Sequence, residues 1–139
     1  MSTEPRETSY GGVVIRGDDV LVIVPRGRRR VLGLPKGGPN AGESPEQTAA
    51  REVREETGIT ATVSERVGQV DYSFRRGSRR IDKTVHFYLC RFEAGDTADH
   101  DHEVDDALWM PLAEARQRLS YPGEREMIAR VLSMLAANG

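Results

Sequence analysis

The sequence is poor in the features that mark secreted and membrane-spanning proteins. Among its 139 residues only Cys90 is a cysteine, so no intrachain disulfide can form and a reducing compartment is the simpler expectation. No stretch approaches the roughly 18 consecutive apolar residues that a membrane span needs. The N-terminal segment MSTEPRETS lacks the apolar region of a signal peptide. We therefore expect a cytoplasmic protein without a membrane partner.

A large charge excess of either sign is also absent. The chain has 20 Lys and Arg residues against 22 Asp and Glu residues, which gives a formal net charge of −2. Domains dedicated to nucleic acid usually carry a marked basic excess, so we expect no nucleic-acid partner. Hydrophobic residues make up only 37%, which is still enough for one core in a chain of this length. We expect a disordered tail over residues 1–7 and a single domain over residues 8–139.

The hydrophobic patterns predict a mixture of strands and helices. The segment YGGVVIRGDDVLVIVPR predicts a β-hairpin with its turn at GDD, and a short strand is expected at residues 31–34. Two or three strands are expected over residues 61–95, with a turn at RRGSRR, and a last strand in VDDALWMPL. The segments LAEARQRL and GEREMIARVLSMLAAN predict helices. Because regular βαβ alternation is absent, we expect a mixed sheet flanked by helices.

Local signals define one further helix at both ends. Pro45–Thr57 is predicted to be helical, with Ser44 as N-cap and Pro45 at the first position, where its missing N–H costs nothing. Gln47 completes a capping box with Ser44, and Gly58 follows the last turn as a C-cap.

Three glutamates crowd the end of this helix. At about 100° per residue, Glu52, Glu55 and Glu56 project side by side at the border between the buried stripe and solvent. Carboxylates at this spacing suit a hard divalent cation such as Mg²⁺ or Mn²⁺, which prefers oxygen ligands. The run could instead be a solvated helix face with an Arg51–Glu55 ion pair at i,i+4 spacing. The helix alone leaves both interpretations open.

The residues around these glutamates resemble the signature of the Nudix hydrolases. That signature has a glycine, a glutamate, an Arg-Glu pair, an aliphatic residue, two consecutive glutamates, and a glycine before another aliphatic residue, all at fixed spacing. The matching positions are Gly37, Glu43, Arg51, Glu52, Val53, Glu55, Glu56, Gly58 and Ile59. The strands before this segment and the ALWMP segment after it look similar to the family too.

The resemblance implies a fold, a cofactor and roles for individual residues. Nudix proteins form an α/β/α sandwich around a mixed β-sheet, and they hydrolyse the diphosphate bond of nucleoside diphosphate-linked compounds with a divalent metal, usually Mg²⁺. By position, Glu52 and Glu56 would be metal ligands, and Glu55 a further ligand or the base that activates water. The main-chain carbonyl of Lys36 would face the metal, and Arg51 would orient the catalytic groups.

Some members of the family take a further metal ligand from a loop outside the signature. Glu103, in DHDHEVDD, is the candidate because it precedes the strand that holds Trp109. The acidic residues around it could equally be a solvated loop.

Two basic clusters could hold a polyphosphate by charge-assisted hydrogen bonds. They comprise Arg26, Arg28, Arg29, Arg30 and Lys36, and Arg75, Arg76, Arg79, Arg80 and Lys83. Both could instead be hairpin tips whose arginines keep the surface solvated. Strand aromatics could stack on a base, although alternation sends only half of them to one face. The candidate substrate-binding residues are Lys36, Arg28, Tyr72, Arg76 and Tyr88.

The expected function is metal-dependent hydrolysis of a small nucleotide. The segment LPKG resembles Nudix enzymes that cleave dinucleoside polyphosphates or diphosphoinositol polyphosphates. The segment KTVHFYL resembles bacterial relatives of that group and of the MutT enzymes. We therefore expect a pyrophosphohydrolase acting on dinucleoside polyphosphates, such as diadenosine tetraphosphate, or on nucleoside triphosphates. The alternatives are an ADP-ribose or nucleotide-sugar pyrophosphatase and a nucleotide-binding module without turnover. A monomer and a homodimer are both compatible with the sequence.

Overall fold

The computed structural model describes residues 6–138, which form one mixed sheet with helices on both faces. Its elements are β1 (Arg6–Arg16), β2 (Asp19–Pro25), β3 (Lys36–Gly37), α1 (Pro45–Thr57), β4 (Ile59–Arg76), β5 (Arg79–Gly95), β6 (Val104–Pro111), α2 (Leu112–Arg118) and α3 (Pro122–Asn138). A 3₁₀ turn at Thr97–Asp99 lies between β5 and β6. Most of the predicted tail lies outside the described residues, and its last two residues, Arg6 and Glu7, belong to β1.

The sheet has the order β4-β5-β1-β2-β6, and the two-residue strand β3 also pairs with β1. The pair β1–β5 is parallel, whereas the other pairs are antiparallel. This confirms the predicted mixed sheet. Val13, Val14, Val20 and Val22 of the central strands are fully buried, as expected for strands covered on both faces.

Each face of the sheet has its own apolar core. On one face α1 contributes Ala49 and Val53, which pack with Val14 and Cys90. On the other face α2 and α3 pack through Ala115, Ile128 and their neighbours against Val13 and Phe87. The result is the α/β/α sandwich. Within the described residues, no helix is long and apolar enough to cross a membrane.

The prediction of a strand at residues 31–34 is wrong. The short strand, β3, lies just after this segment. Only Gly33 pairs with the sheet in that segment, through a bridge to Ile23. The neighbouring N–H groups are bound by side chains instead: Leu32 donates to Ser120 Oγ at 2.8 Å and Leu34 donates to Glu124 Oε1 at 2.9 Å. Because these donors are already satisfied, the segment cannot extend a strand ladder.

The region predicted to hold two or three strands forms one long hairpin of β4 and β5. Its turn lies at Gly77, whose φ of 65° permits the tight reversal. Register shifts along the pair at Thr60/Ala61, Val63/Glu65 and Arg66/Gly68 bend the hairpin without dividing it.

Candidate active site

The helix α1 has the bounds and both caps that the sequence predicted. Ser44 Oγ accepts a hydrogen bond from Gln47 N–H at 3.1 Å, and Gln47 Oε1 accepts one from Ser44 N–H at 2.9 Å, which completes the capping box. Gly58 adopts a φ of 77° and donates its N–H to the Arg54 carbonyl. These local interactions fix where the glutamate-rich end of α1 stops.

Arg51 links this helix to the loop before it. Its guanidinium donates to Glu43 at 2.6 Å, to Glu52 at 2.9 Å, to Glu55 at 2.7 Å and to the Gly38 carbonyl at 2.8 Å. Hydrogen bonding to Arg51, with a further one from the Asn40 backbone, lowers the pKa of Glu43 to about 2. The predicted Arg51–Glu55 ion pair is therefore present as part of a larger network, a geometry that suits an orienting role.

Glu52 and Glu56 approach the backbone of β3 from the side of α1. Glu56 is buried, and its Oε1 accepts a hydrogen bond from the Lys36 N–H at 3.0 Å. Glu52 lies so close to Gly37 that a Cβ there would come within 1.4 Å of its Oε2. The absence of a side chain at Gly37 thus makes room for the Glu52 carboxylate.

Both carboxylates are held where a negative charge is costly. Burial raises the pKa of Glu52 to about 7. Burial raises the pKa of Glu56 to about 8, and the nearby charge of Glu52 adds to this effect. A bound divalent cation would reverse that cost, and oxygen donors are the ligands that such ions prefer. The donor set of Glu52, Glu56 and the β3 backbone therefore fits a hard metal ion.

Glu55 differs from its two neighbours in its surroundings. Its side chain is 43% exposed and is held by Arg51. Across residues 6–138, no three His, Cys, Asp or Glu side chains converge into a ready metal site. At this helix end Glu56 is buried and Glu52 is half-buried, whereas Glu55 lies at the open edge.

The loop before β6 brings Asp101, rather than Glu103, toward these glutamates. The Asp101 N–H donates to the Glu55 carbonyl at 3.0 Å, and its negative charge contributes to the raised pKa of Glu56. Glu103 is exposed, and its carbonyl accepts from the Arg26 N–H at 3.1 Å. Sequence reasoning chose Glu103 for its place before the strand that holds Trp109, since a loop offers no periodicity that separates one acidic residue from the next.

A cavity of about 760 Å³ lies on the α3 face of the sheet, between the β4–β5 hairpin and the start of α3. It gathers three of the predicted substrate-binding residues, Arg28, Lys36 and Tyr72. The strand β3 joins this cavity to the glutamates, because the Lys36 N–H binds Glu56 and the Lys36 side chain lines the cavity.

The other two predicted substrate-binding residues lie elsewhere. Arg76 forms an ion pair with Glu7 at 2.7 Å and stacks over Phe74, and it is not part of the cavity lining. Tyr88 is buried with Val14 and Val53 beneath α1. Alternation along β5 sends Tyr88 to the face opposite the cavity, so the structure contradicts a stacking role for it there.

Sequence reasoning missed Glu124, which is only 3% exposed. Its Oε1 accepts from the Leu34 N–H at 2.9 Å, and its Oε2 accepts from Lys36 Nζ at 3.1 Å. Burial alone would lower the pKa of Lys36, but the Glu124 carboxylate outweighs burial and the net pKa is raised. In the sequence Glu124 looks like an ordinary acidic residue in the first turn of a helix, and its partner lies 88 positions away.

The sequence is similar to proteins of one family. Residues 5–131 match the family model of the NUDIX domain. The chain is 45% identical over 130 residues to a Mycobacterium tuberculosis protein named MutT4, a match that covers 87% of this chain and 52% of that protein. It is 36% identical over 110 residues to the 8-oxo-(d)GTP phosphatase of Mycolicibacterium smegmatis, covering 79% of this chain and 33% of the other. The chain thus spans about half or less of the length of these relatives.

Solved structures share the fold. The mutator MutT protein of Bacillus halodurans superposes with a TM-score of 0.75 and 26% identity, covering 91% of this chain and 82% of that one. An Ap4A hydrolase of C. elegans superposes with a TM-score of 0.75 and 22% identity, covering 94% and 98% of the two chains. Nudix hydrolases generally use divalent metal ions, which agrees with the oxygen donors at α1 and β3. The chain belongs to the Nudix family, whose domain model its residues 5–131 match.

Proposed function

We propose that the protein is a pyrophosphohydrolase that requires Mg²⁺ or Mn²⁺ and acts on nucleoside triphosphates, with 8-oxo-dGTP as the first candidate. The observation that carries the activity is the pair of desolvated carboxylates, Glu52 and Glu56, held against the backbone of β3. The relatives named MutT4 and 8-oxo-(d)GTP phosphatase support the choice of a nucleoside triphosphate.

In this proposal Glu52, Glu56 and the main-chain carbonyl of Lys36 hold the metal. A bound divalent ion neutralises phosphate oxygens and lowers the pKa of water. Arg51 keeps the Glu55 carboxylate at the open edge of α1, where it can accept a proton from the attacking water. The ion pair of Arg51 with Glu43 holds the preceding loop against the helix, so the geometry of Glu52 and Glu55, to which Arg51 also donates, depends on it.

A dinucleoside polyphosphate such as diadenosine tetraphosphate is the second candidate. The cavity carries two cationic side chains besides Lys36, namely Arg28 and Lys83, and these could contact a longer phosphate chain.

The test is turnover of a panel of 8-oxo-dGTP, dGTP, diadenosine tetraphosphate and ADP-ribose, with identification of the products. We expect metal-dependent hydrolysis with 8-oxo-dGTP as the best substrate. Glu56→Gln should lower kcat by about 10²–10⁴-fold, the range for a positioned charge or base. Glu46→Gln, the same change at an exposed position in the first turn of α1, should leave kcat within about twofold, because surface substitutions have small effects.

Two results would contradict this function. Equal turnover by wild type and Glu56→Gln would show that catalysis does not depend on the carboxylates of α1. Tight nucleotide binding with no product in the presence of metal would support the binding module instead.

A further inference from the structure

The strand β4 lies at the edge of the sheet, and its outer side has no partner among residues 6–138. In the order β4-β5-β1-β2-β6 it pairs with β5 alone. An edge strand directs about half of its N–H and C=O groups away from the sheet, where they can pair with another chain. Proteins limit such pairing with short edge strands, but β4 has 18 residues. It is therefore a candidate surface for the addition of a strand.

Only the second half of β4 is regular enough to accept another strand. Over residues 59–68 the register with β5 shifts three times, and such bulges disrupt an edge. Over residues 69–76, QVDYSFRR, the register runs without a shift, and no proline interrupts it. In the described structure these residues form no backbone hydrogen bond outside the β5 ladder. Their outward N–H and C=O groups are therefore available to another chain.

Most side chains of this segment are exposed as well. Tyr72 is 40% exposed, which distinguishes it from the other large hydrophobic side chains of residues 6–138. Tyr72 and Phe74 lie on the α3 face with their ring centroids 6.2 Å apart. Alternation along the strand places Asp71 and Arg75 on the opposite face. One face of the segment is thus aromatic, and the other carries both signs of charge.

The segment is complementary to a second copy of itself. In an antiparallel pair centred on Ser73, Asp71 of each copy lies directly opposite Arg75 of the other. On the other face, Tyr72 of each copy lies opposite Phe74 of the other. Directly opposed unlike charges and aromatic pairs stabilise antiparallel strands. Two-fold symmetry makes each favourable pair occur twice.

The hairpin turn fits the same centre. With Ser73 opposite itself, Gly77 in the turn of one copy comes opposite Gln69 of the other. The turn of the second copy therefore lies where the irregular half of β4 begins, at the register shift between Arg66 and Gly68. The paired segment then has the length that the regular part of the edge provides.

Neighbouring centres lack this complementarity. A pair centred on Tyr72 would place Asp71 opposite Ser73, and a pair centred on Phe74 would place Asp71 opposite the turn. A pair centred on Arg75 would oppose two like charges, which destabilises antiparallel strands. The charge pattern therefore selects one register.

Both charged residues are available to a second chain. In the described residues Arg75 forms no salt bridge, and its guanidinium donates only to the Ser78 carbonyl at 3.2 Å. Asp71 lies 3.8 Å from Arg6, and both of those side chains are more than half exposed. An exposed ion pair of this kind contributes little, so it does not commit the Asp71 carboxylate.

We propose that the protein forms a two-fold symmetric homodimer, in which residues 69–76 of β4 pair antiparallel with the same residues of a second copy, centred on Ser73. The two sheets then become one continuous sheet across the dimer. A single pair of short strands makes a small interface, so the dimer should dissociate on dilution. Pairing along β4 does not depend on the proposed function.

The test is sedimentation velocity at about 50 mM salt, where exposed charges are weakly screened. Wild type should change from monomer to dimer between about 1 and 200 µM protein, the range expected for a small interface. Asp71→Arg and Arg75→Asp each place like charges opposite one another at both symmetric positions. Each should weaken dimerisation by about 10- to 100-fold.

Complementation separates a direct pair from a structural effect. An equimolar mixture of Asp71→Arg and Arg75→Asp restores unlike charges at both positions, so the mixture should form dimers although each variant alone does not. The double variant Asp71→Arg/Arg75→Asp should dimerise like wild type for the same reason. A substitution that merely damaged the fold would be rescued in neither case.

Glu65→Arg is the matched control. Glu65 is an exposed acidic residue on the same strand, but it lies in the irregular half, beyond the turn of the second copy. Its reversal should change the dimerisation constant by less than about threefold. Melting temperatures of all variants are measured alongside, and Arg75→Asp removes no salt bridge of the described residues.

Any of three results would overturn the proposal. These are a wild type that stays monomeric over the whole concentration range, an Arg75→Asp variant that dimerises as wild type does, and a mixture of the two single variants that stays monomeric. Failure of the proposed function is seen separately, as absence of turnover of the substrate panel by wild type.

Discussion

At Gly37, one missing Cβ lets the Glu52 carboxylate lie against the backbone of β3. A Cβ at this position would come within 1.4 Å of Glu52 Oε2 and within 2.1 Å of its Cδ. Because a displacement of about 1 Å at a catalytic group can cost on the order of 10²-fold in rate, Gly37→Ala should lower kcat by about that factor. The measurement is steady-state turnover of the best substrate, with thermal unfolding alongside.

Gly38 supplies the control for this substitution. A Cβ at Gly38 would meet no atom within 4 Å, although the residue belongs to the same loop. Gly38→Ala should therefore keep its activity. If Gly37→Ala were as active as Gly38→Ala, the position of the Glu52 carboxylate against β3 would be irrelevant to catalysis.

The metal-free protein should lose stability as pH rises, because of Glu56. Its pKa is about 8 in the folded protein against 4.5 ordinarily, so the folded state binds the proton more tightly than the unfolded state. The stabilisation from this proton is complete below about pH 4.5 and disappears as the pH rises to about 8. Glu56→Gln cannot ionise, so in chelator it should melt above wild type at pH 8 by at least about 3–4 °C, since one pKa unit is worth about 1.4 kcal/mol.

The comparison for this prediction is the melting temperature at about pH 4, where wild type and Glu56→Gln should agree closely. Glu46→Gln, on the exposed side of α1, should follow wild type at both pH values. A pH dependence in Glu56→Gln as steep as in wild type would show that the titrating group lies elsewhere.

How far the site could be predicted depends on the distance between partners in sequence. Glu52 and Glu56 were predicted from their spacing on one helix and their place in a signature, because both signals are local. Glu124 was not assigned as a site residue, because its importance comes from partners that only the fold brings near. Tyr88 lies on the face opposite Tyr72, because the face to which a strand residue points depends on a register that composition does not fix.

Helices and strands, like site residues, could be predicted where the interactions that determine them are local in sequence. The helix α1 was predicted with its observed bounds because its caps, its first-turn proline and its C-terminal glycine all act within a few residues. The strand β3 was misplaced because Ser120 and Glu124, which arrive from the region of α2 and α3, bind the Leu32 and Leu34 N–H groups. Local strand propensity contains no information about side chains from distant positions that bind the same backbone N–H groups.

The C-terminal end of α1 should be sensitive to any side chain at Gly58. This residue has a φ of 77°, and a Cβ would also come within 2.3 Å of the Asp96 carbonyl oxygen. The Asp101 N–H donates to the Glu55 carbonyl nearby, so a displaced loop would lose this contact as well. Gly58→Ala should therefore destabilise the protein by roughly 3 kcal/mol, combining backbone strain with steric overlap, as measured by chemical denaturation.

Substitution of Gly42 measures the cost of the left-handed backbone conformation without steric overlap. Its φ is 81°, but a Cβ there would meet nothing within 4 Å. Gly42→Ala should thus cost about 1 kcal/mol from the left-handed conformation alone. Equal losses at Gly42 and Gly58 would mean that packing against the Asp96 loop does not anchor the end of α1.

For the molecule as a whole, β3 is the link between the two faces of the sheet. On the α1 face, Gly37 and the Lys36 N–H receive Glu52 and Glu56. On the α3 face, the Lys36 side chain reaches Glu124 at the start of α3. The arrangement joins an acidic, metal-compatible edge to a cationic cavity through two residues of backbone. A substrate with both an anhydride and a base would need both sides at once.

Because the Lys36–Glu124 ion pair joins β3 to α3, removing either partner should lower the free energy of unfolding. Its side chains are 21% and 4% exposed, so removing one partner leaves the other charge largely desolvated. Lys36→Met and Glu124→Gln should each cost about 2–4 kcal/mol, and the double variant should lie within about 1 kcal/mol of the less damaged single variant. Glutamine retains an oxygen for the Leu34 N–H, so the cycle measures charge pairing rather than loss of that hydrogen bond.

The exposed Glu114–Arg118 pair on α2 provides the reference for this double-mutant cycle. Its side chains are 44% and 55% exposed, and a pair of this kind contributes at most about 0.5 kcal/mol. Urea unfolding of both cycles should give a coupling free energy of about 2–4 kcal/mol for Lys36–Glu124, well above that reference. Coupling no larger than that of Glu114–Arg118 would mean that Lys36 is not held by Glu124 in solution. Lys36 would then be free to bind phosphate itself.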